Sequence, residues 1–217
     1  MKTHPPAQGP GGFSLVESIL WNPAEGYTLL DRHLARMAAS ARFFGFSFGP
    51  REAEGALEAQ RLRLDRQPHK VRLLLAVDGI FSCSSIPLME IPKPDPSRLR
   101  LAPRPVSSED VFLYHKTTSR ESYENAERSG LDCDEVVLWN ERDEVTETTS
   151  ANLVFELDGE TVTPPVSSGL LAGTYREWMI ETGRVREKVV MVADVCRASR
   201  ILVVNSVRPP RLGTLLG

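Results

Sequence analysis

The sequence predicts an α+β fold, on three observations. Before residue 90, two strand pairs and two amphipathic helices follow one another. A proline-rich stretch at 92–96 then interrupts the chain, because prolines lack an N–H donor and fix their backbone angles. Beyond it, apolar strands are interleaved with helices, as in the mixed sheet of an α+β or α/β domain. With 217 residues, the chain is long enough for one large domain or two small ones.

The part of the chain before the prolines is predicted from its periodicity and its turn residues. Apolar residues at three- and four-residue steps predict a helix that Asp31 caps and Gly45 ends. Asp78-Gly79 predicts a tight hairpin turn. The predicted elements are a strand at 13–21, a turn at 22–26 into a strand at 27–30, helices at 31–45 and 50–65, and strands at 69–77 and 80–88.

The part beyond the prolines is predicted to be larger. Its expected strands lie near 98–103, 134–139, 152–157, 160–163, 186–192 and 200–205, and its helices near 119–130 and 172–182. The resulting organisation is a flexible segment at 1–12, a small N-terminal α+β domain at 13–91, a linker at 92–97 and a larger mixed-sheet domain at 98–217.

Composition narrows the class of partner. A formal net charge of -3 leaves no basic excess for nucleic acid, and no charge run suits an anionic membrane. We therefore expect a small-molecule partner, with neither nucleic acid nor a membrane. The three cysteines are widely separated and show no metal-ligand spacing, so we expect no metal site and a reducing compartment. The N-terminus has no apolar leader region, which predicts a cytoplasmic protein.

Lys116 is the first candidate for a catalytic residue. The apolar residues 111–113 predict a short buried strand before it, and hydroxyls at 117–119 could cap a helix starting near Arg120. A lysine at such a corner, flanked by His115 and an apolar strand, can lose solvation and favour its neutral, nucleophilic form. The alternative is a solvated surface lysine in front of a helix.

Two later motifs favour a catalytic role for Lys116 over a solvated surface position. Thr-Glu-x-x-x-x-Asn at 146–152 precedes an apolar strand, and Gly-Leu-x-x-Gly-x-x-Arg at 169–176 opens a helix. With Lys116, this order resembles the fold-type IV pyridoxal-phosphate (PLP) enzymes, a family of branched-chain aminotransferases, D-amino acid aminotransferases and 4-amino-4-deoxychorismate lyases. The resemblance spans nearly the whole chain from Phe13 and implies the two-domain D-amino acid aminotransferase-like fold.

The resemblance implies roles for three residues around the cofactor. Lys116 would form the Schiff base with PLP and act as the catalytic base. Glu147 would pair with the pyridine nitrogen, because an anionic partner keeps that nitrogen protonated and the ring electron-withdrawing. Arg36 lies off the apolar stripe of its helix and would bind the phosphate. Ordinary solvated positions are the alternative for Glu147 and Arg36.

Further implied contacts lie late in the chain. Backbone N–H groups at the helix start, with the hydroxyl of Thr174 or Tyr175, would bind the phosphate, and Ser206 would add another hydroxyl. Arg208 is a candidate for the substrate carboxylates. Asn152 is expected to tie loop backbone at the start of its strand.

Within the family, three phrases are most similar to the lyase half of fused aminodeoxychorismate synthase–lyase proteins. They are His-Lys-Thr-Thr at 115–118, Val-Thr-Glu-Thr-Thr-Ser-Ala-Asn-Leu-Val at 145–154 and Val-Asn-Ser-Val-Arg at 204–208. The implied function is conversion of 4-amino-4-deoxychorismate to 4-aminobenzoate and pyruvate for folate biosynthesis, by a homodimer. The alternatives are an aminotransferase for branched-chain or D-amino acids and a non-catalytic binding protein. Pro209 departs from the lyase pattern, and Tyr123 has no assigned role.

Overall fold

The computed structural model describes residues 12–90, 94–128 and 132–216. They form two compact units, Met1–Pro92 with His115–Ser119, and Lys93–Tyr114 with Arg120–Gly217. The segment predicted to be flexible lies outside the described residues except for Gly12, and so does part of the predicted linker. The sequence analysis assigns residues 115–119 to the larger domain, whereas in the structure they group with the first unit. The domain limits given above stay a prediction.

The first unit is an antiparallel sheet with two helices. Its strands have the order β2-β1-β3-β4. In chain order the elements are β1 Leu15–Asn22, β2 Gly26–Tyr27, α1 Leu30–Phe44, α2 Pro50–Arg61, β3 His69–Leu75 and β4 Phe81–Pro87. Strands β1 and β3 pair along their whole length, from Leu15 opposite Leu75 to Trp21 opposite His69. Both predicted helices and both predicted hairpins are confirmed.

Apolar packing holds this unit together. Strand β1 buries Leu15 and Ile19, and β3 buries alternate residues, as expected for a sheet with one face in the core. Helix α1 buries four residues of its apolar stripe, namely Leu34, Met37, Ala41 and Phe44. The helix ends at Gly45 in the left-handed conformation (φ 77°), as predicted.

The start of α1 differs from the prediction. The helix begins one residue before Asp31, and the residue before it, Leu29, is in the left-handed region with φ 52°. Asp31 thus lies in the first turn, where a carboxylate still interacts favourably with the helix dipole, and no side chain caps the helix.

The second unit contains a mixed eight-stranded sheet of order β10-β9-β8-β11-β12-β5-β6-β7. Its elements are β5 Ser97–Leu101, α3 Glu121–Glu127, β6 Glu135–Trp139, β7 Val145–Thr148, β8 Asn152–Leu157, β9 Glu160–Thr163, α4 Thr174–Glu181, β10 Arg186–Glu187, α5 Val192–Val195, β11 Arg200–Val204 and β12 Arg211–Leu215. The pairs β5–β6, β5–β12 and β9–β10 are parallel, and the others are antiparallel. The predicted α+β class, with a small sheet and a larger mixed one, is confirmed.

Two expectations for this unit were wrong. Val111–Leu113 is a 3-10 turn rather than a strand, because the Asp110 side chain accepts a hydrogen bond from Phe112 N and closes a local turn. The strand expected at 186–192 has only two residues, Arg186–Glu187, and α5 follows. Strands β7 and β12 were not predicted.

Helix α3 also starts differently from the prediction. Arg120 precedes its first turn, and no side-chain hydroxyl caps it. Thr117 Oγ1 instead accepts from Ser119 N within its own loop, and Thr118 Oγ1 accepts from Ser14 N.

All three cysteines are free thiols. Of the helices that the structure describes, none combines the length and the apolar character needed to cross a bilayer.

Candidate functional site

Lys116 is fixed by its backbone to the sheet of the first unit. Lys116 O accepts a hydrogen bond from Val16 N at 3.0 Å, and Thr118 N donates to Ser14 O at 2.9 Å. The segment His115–Ser119 thereby extends the pairing of β1 instead of forming a strand-to-helix corner. The Lys116 side chain is half-buried.

His115 lies in an aromatic environment. Its ring stacks on Phe43 with 4.4 Å between the ring centroids and meets Phe44 edge-on with 4.8 Å between the centroids. The His115 Nδ1 atom lies 2.9 Å from Ser40 Oγ. Burial lowers the pKa of His115 to about 4. At neutral pH, His115 therefore adds no positive charge beside Lys116.

Arg36 is paired with a buried carboxylate that the sequence analysis did not single out. Arg36 Nε donates to Glu17 Oε1 at 2.9 Å and Nη2 to Glu17 Oε2 at 2.6 Å. His33 Nδ1 lies 2.6 Å from the same Oε2, and both Glu17 and His33 are fully buried. Burial alone would raise the pKa of Glu17, but the Arg36 charge and the bonds from His33 and Arg36 outweigh it and hold the pKa at about 2. Because an ionised carboxylate only accepts hydrogen bonds, His33 Nδ1 is the donor.

One signal in the sequence could have revealed this cluster. Glu17 is an acidic residue among the mainly apolar residues of strand β1, and a buried carboxylate requires cationic or donor partners. Arg36 lies off the apolar stripe of α1, as the sequence predicts, yet its side chain is only 12% exposed because it binds Glu17.

In the second unit, Glu147 on β7 is a buried carboxylate with three described donors. Tyr123 O–H donates to Glu147 Oε1 at 2.8 Å, and Leu171 N donates to the same oxygen at 3.1 Å. Asn152 Nδ2 donates to Oε2 at 3.1 Å. These donors come from α3, from the turn before α4 and from the start of β8, so the carboxylate joins three segments that are distant in sequence.

Asn152 also ties this turn to the sheet. Its Nδ2 donates to Leu171 O at 2.9 Å, which is the backbone role predicted for it. A Cβ on Gly173 would collide with the Asn152 side chain, so the glycine permits the close approach of the turn. Helix α4 begins directly afterwards, at Thr174.

The remaining candidates of this unit have distinct environments. Thr174 is buried, and the Tyr175 ring packs on Trp178 at 5.2 Å. Ser206 and Arg208 follow β11, in a turn whose backbone N–H groups bind Asn205 Oδ1. Burial, together with the Arg211 charge, lowers the pKa of Arg208 below its ordinary value.

Each unit thus brings part of the candidate set together. In the first unit, Lys116 and Arg36 are both anchored to β1. In the second, Glu147 contacts the turn that leads to Thr174, and Ser206 lies two residues beyond Val204, which is opposite Asn152 in the sheet.

Comparison with known proteins identifies the family. The family described as Amino-transferase class IV matches residues 14–211. The chain belongs to the class IV aminotransferase family. The family predicted from the motif order is therefore confirmed, and so is its fold. Enzymes of this class depend on PLP, and a PLP-bound form is among the solved structures that share the fold.

Similar proteins carry two kinds of name. A Schizosaccharomyces pombe protein named "Putative aminodeoxychorismate lyase" is 30% identical over 87% of this chain and 84% of its own length. The structure of a "Putative amino-acid aminotransferase" from Mesorhizobium loti is 33% identical, with a TM-score of 0.87 over 94% of this chain and 100% of that one. A Legionella pneumophila structure titled "Putative 4-amino-4-deoxychorismate lyase" is 22% identical, with a TM-score of 0.81 over 98% of this chain and 88% of that one, and shows the shared fold.

The Glu17 cluster generates a stability prediction. Glu17→Gln should lower the free energy of unfolding by about 3–5 kcal/mol at neutral pH, because Arg36 and His33 lose a buried anionic partner. A carboxylate whose pKa is lowered from 4.5 to about 2 stabilises the fold above pH 4.5, and this contribution disappears as the pH falls towards 2. The difference in the free energy of unfolding between variant and wild type, measured by urea titration, should therefore become smaller as the pH falls over that range.

The control for this experiment is Glu58→Gln, which removes an exposed partner of Arg61 and should change stability little. A Glu17→Gln gap of equal size at pH 3 and pH 7 would contradict the assigned role of the carboxylate.

Proposed function

We propose that the chain is a PLP-dependent lyase that converts 4-amino-4-deoxychorismate to 4-aminobenzoate and pyruvate, a step of folate biosynthesis. The observation that carries the proposal is the buried Glu147 carboxylate with its three donors, in a class IV chain that also has Lys116 at the lysine motif. The name of the S. pombe relative supports the lyase over other class IV reactions.

The residues fit the chemical parts of PLP. Lys116 offers an amine for the aldehyde carbon, and Glu147 offers an anion for the pyridine nitrogen. For the phosphate, Arg36 offers a guanidinium, and the turn into α4 offers backbone N–H groups with Thr174 and Tyr175. Gly173 lets this turn lie against Asn152, which donates to Glu147, so the start of α4 and the carboxylate are tied to the same residue.

When bound, PLP supplies an aldehyde that condenses with amines and a protonated ring that withdraws electrons from the substrate carbon. Lys116 would hold the cofactor through its Nζ until the substrate amine takes that place. The freed Lys116 Nζ acts as a general base and removes the proton from the carbon that bears the amine. In the lyase reaction, the ether C–O bond of the enolpyruvyl group would then break, and the substrate ring would become aromatic. The released enolpyruvate would take up a proton to become pyruvate.

The remaining residues hold and orient. Glu147 keeps its negative charge beside the pyridine nitrogen, and Ser206 adds a hydroxyl to the phosphate contacts. Arg208 is the candidate for the substrate carboxylates, in a turn stiffened by Pro209 and Pro210. We also propose a homodimer in the cytoplasm, as the family resemblance implies.

An aminotransferase is the second candidate, because the M. loti protein is 33% identical over its whole length. In that reaction Lys116 would return the proton to the cofactor instead of allowing a group to leave. A non-catalytic protein is the third candidate, and the first prediction below tests it.

Lys116→Ala should abolish the yellow absorbance that appears when PLP is added, and also the trapping of PLP by borohydride, because the amine that attaches the cofactor is gone. The denaturation profile should be retained. The matched control is Lys188→Ala, which removes an exposed lysine that pairs with Glu160 and should keep both signals. If the wild-type chain takes up no PLP even when the cofactor is supplied in excess, the proposal is refuted and the non-catalytic protein remains as the candidate.

Glu147→Gln should keep the absorbance but raise the activation barrier by about 2–4 kcal/mol, as loss of other preorganised charges does. Turnover at saturating substrate measures this barrier. Glu156→Gln, at an exposed residue of β8, serves as the control. Unchanged turnover in Glu147→Gln would remove the residue from the site.

The reaction itself is tested by supplying aminodeoxychorismate and, in parallel, L- and D-amino acids with 2-oxoglutarate or pyruvate. We expect release of 4-aminobenzoate and no conversion of the amino acids to keto acids. Amino transfer without 4-aminobenzoate would establish the aminotransferase instead.

A further inference from the structure

The hydrogen bond between Tyr123 and Glu147 links helix α3 to the carboxylate of β7. The two atoms lie 2.8 Å apart, and the residues are 8% and 4% exposed. We infer that Tyr123 is a positioning residue, whose hydroxyl holds the Glu147 carboxylate ionised and fixes its orientation. The inference rests on the proposed function, in which Glu147 must stay anionic beside a ring nitrogen.

The direction of this hydrogen bond is set by the charges. Burial, followed by the charge of Glu147, raises the pKa of Tyr123 well above 10. The phenol therefore keeps its proton at every pH where the enzyme works, and it donates to the carboxylate. Hydrogen bonds to a charged group are stronger than those between neutral groups, and they favour the ionised form of the acceptor.

The Tyr123 ring is held rigidly, so its hydroxyl cannot easily turn away. The ring packs among apolar residues of one core cluster, which includes Leu113 and Leu138. Arg120 lies over the ring face, with its guanidinium carbon 4.6 Å from the ring centroid, and its Nη2 donates to Thr149 O at 2.6 Å.

The same contacts decide what a substitution changes. The other charged groups that act on Tyr123 are Arg120 and Asp110, and both remain when only the hydroxyl is removed. Tyr123→Phe keeps the ring and its packing, and deletes one donor of Glu147. The lost hydrogen bond is one that favours the ionised form of the Glu147 carboxyl.

The first test is denaturant unfolding of the full chain without added PLP, from pH 7 down to pH 3, a range that crosses the ordinary pKa of a glutamate. We expect Tyr123→Phe to lower the unfolding midpoint, and the gap to wild type to narrow as the pH falls, because protonation of Glu147 abolishes the charged hydrogen bond in both proteins. The matched control is Tyr114→Phe, which removes a phenol that donates to the backbone oxygen of Ser108 at 2.7 Å. Its gap should not depend on pH.

A second variant tests whether the effect passes through Glu147. In a Glu147→Gln background, the pH dependence of the Tyr123→Phe gap should vanish, because glutamine does not titrate. In the PLP-loaded enzyme, Tyr123→Phe should move the acid limb of the turnover–pH profile up by about one pH unit, as expected from loss of one hydrogen bond to a charge.

The outcomes separate this inference from the proposed function. The inference is overturned if the difference in unfolding midpoint between Tyr123→Phe and wild type is constant with pH. It is also overturned if the pH dependence of this difference persists in the Glu147→Gln background. An unmoved acid limb overturns it as well. A chain that takes up no PLP but shows the pH-dependent gap refutes the proposed function, while Tyr123 remains the residue that holds Glu147.

Discussion

Burying a carboxylate costs several kcal/mol unless donors or cations compensate for the lost water, and this chain buries Glu17 in its first unit and both Glu135 and Glu147 in its second. Glu17 is compensated by Arg36 and His33, which both lie on α1. Glu147 is compensated by Tyr123, Asn152 and the backbone of Leu171. The partners of each carboxylate determine which elements must lie beside its strand.

In the first unit, the constraint couples α1 to β1 more specifically than apolar packing can. Apolar contacts tolerate small shifts of a helix on a sheet, whereas a forked guanidinium on a carboxylate fixes both position and orientation. Arg36 is thus oriented by a residue of the strand to which the Lys116 segment is also attached. Two candidate residues that are eighty positions apart in sequence depend on the same strand, β1.

In the second unit, the constraint acts on segments with little regular structure. The turn at 169–173 buries the side chain of Leu170, and it is also held by hydrogen bonds through Leu171 and Asn152. The start of α4 follows from this turn. The geometry of an anion site at that helix would therefore depend on a carboxylate that does not itself touch the anion.

Much of this organisation could be predicted from the sequence. The apolar periodicity of α1 and the turn at Asp78-Gly79 are local signals, and the structure has both. The order of the motifs around Lys116, Glu147 and Gly173 predicted the family. Strand β7 was missed because its polar residues Thr146 and Glu147 do not alternate with apolar ones, although all four of its residues are buried. The partners of Glu17 and Glu147 could not be predicted, because they depend on contacts between residues distant in sequence.

The attachment of His115–Ser119 to β1 has a consequence for how the polypeptide is threaded. The chain leaves the first unit near Pro92, returns to it for five residues, and leaves it again at Arg120. A fragment that ended near Pro92 would lack these residues, so Val16 N and Ser14 O would lose their backbone partners. Neither unit is encoded by one continuous piece of sequence, and fragment complementation would require the second piece to supply the segment His115–Ser119 to the first.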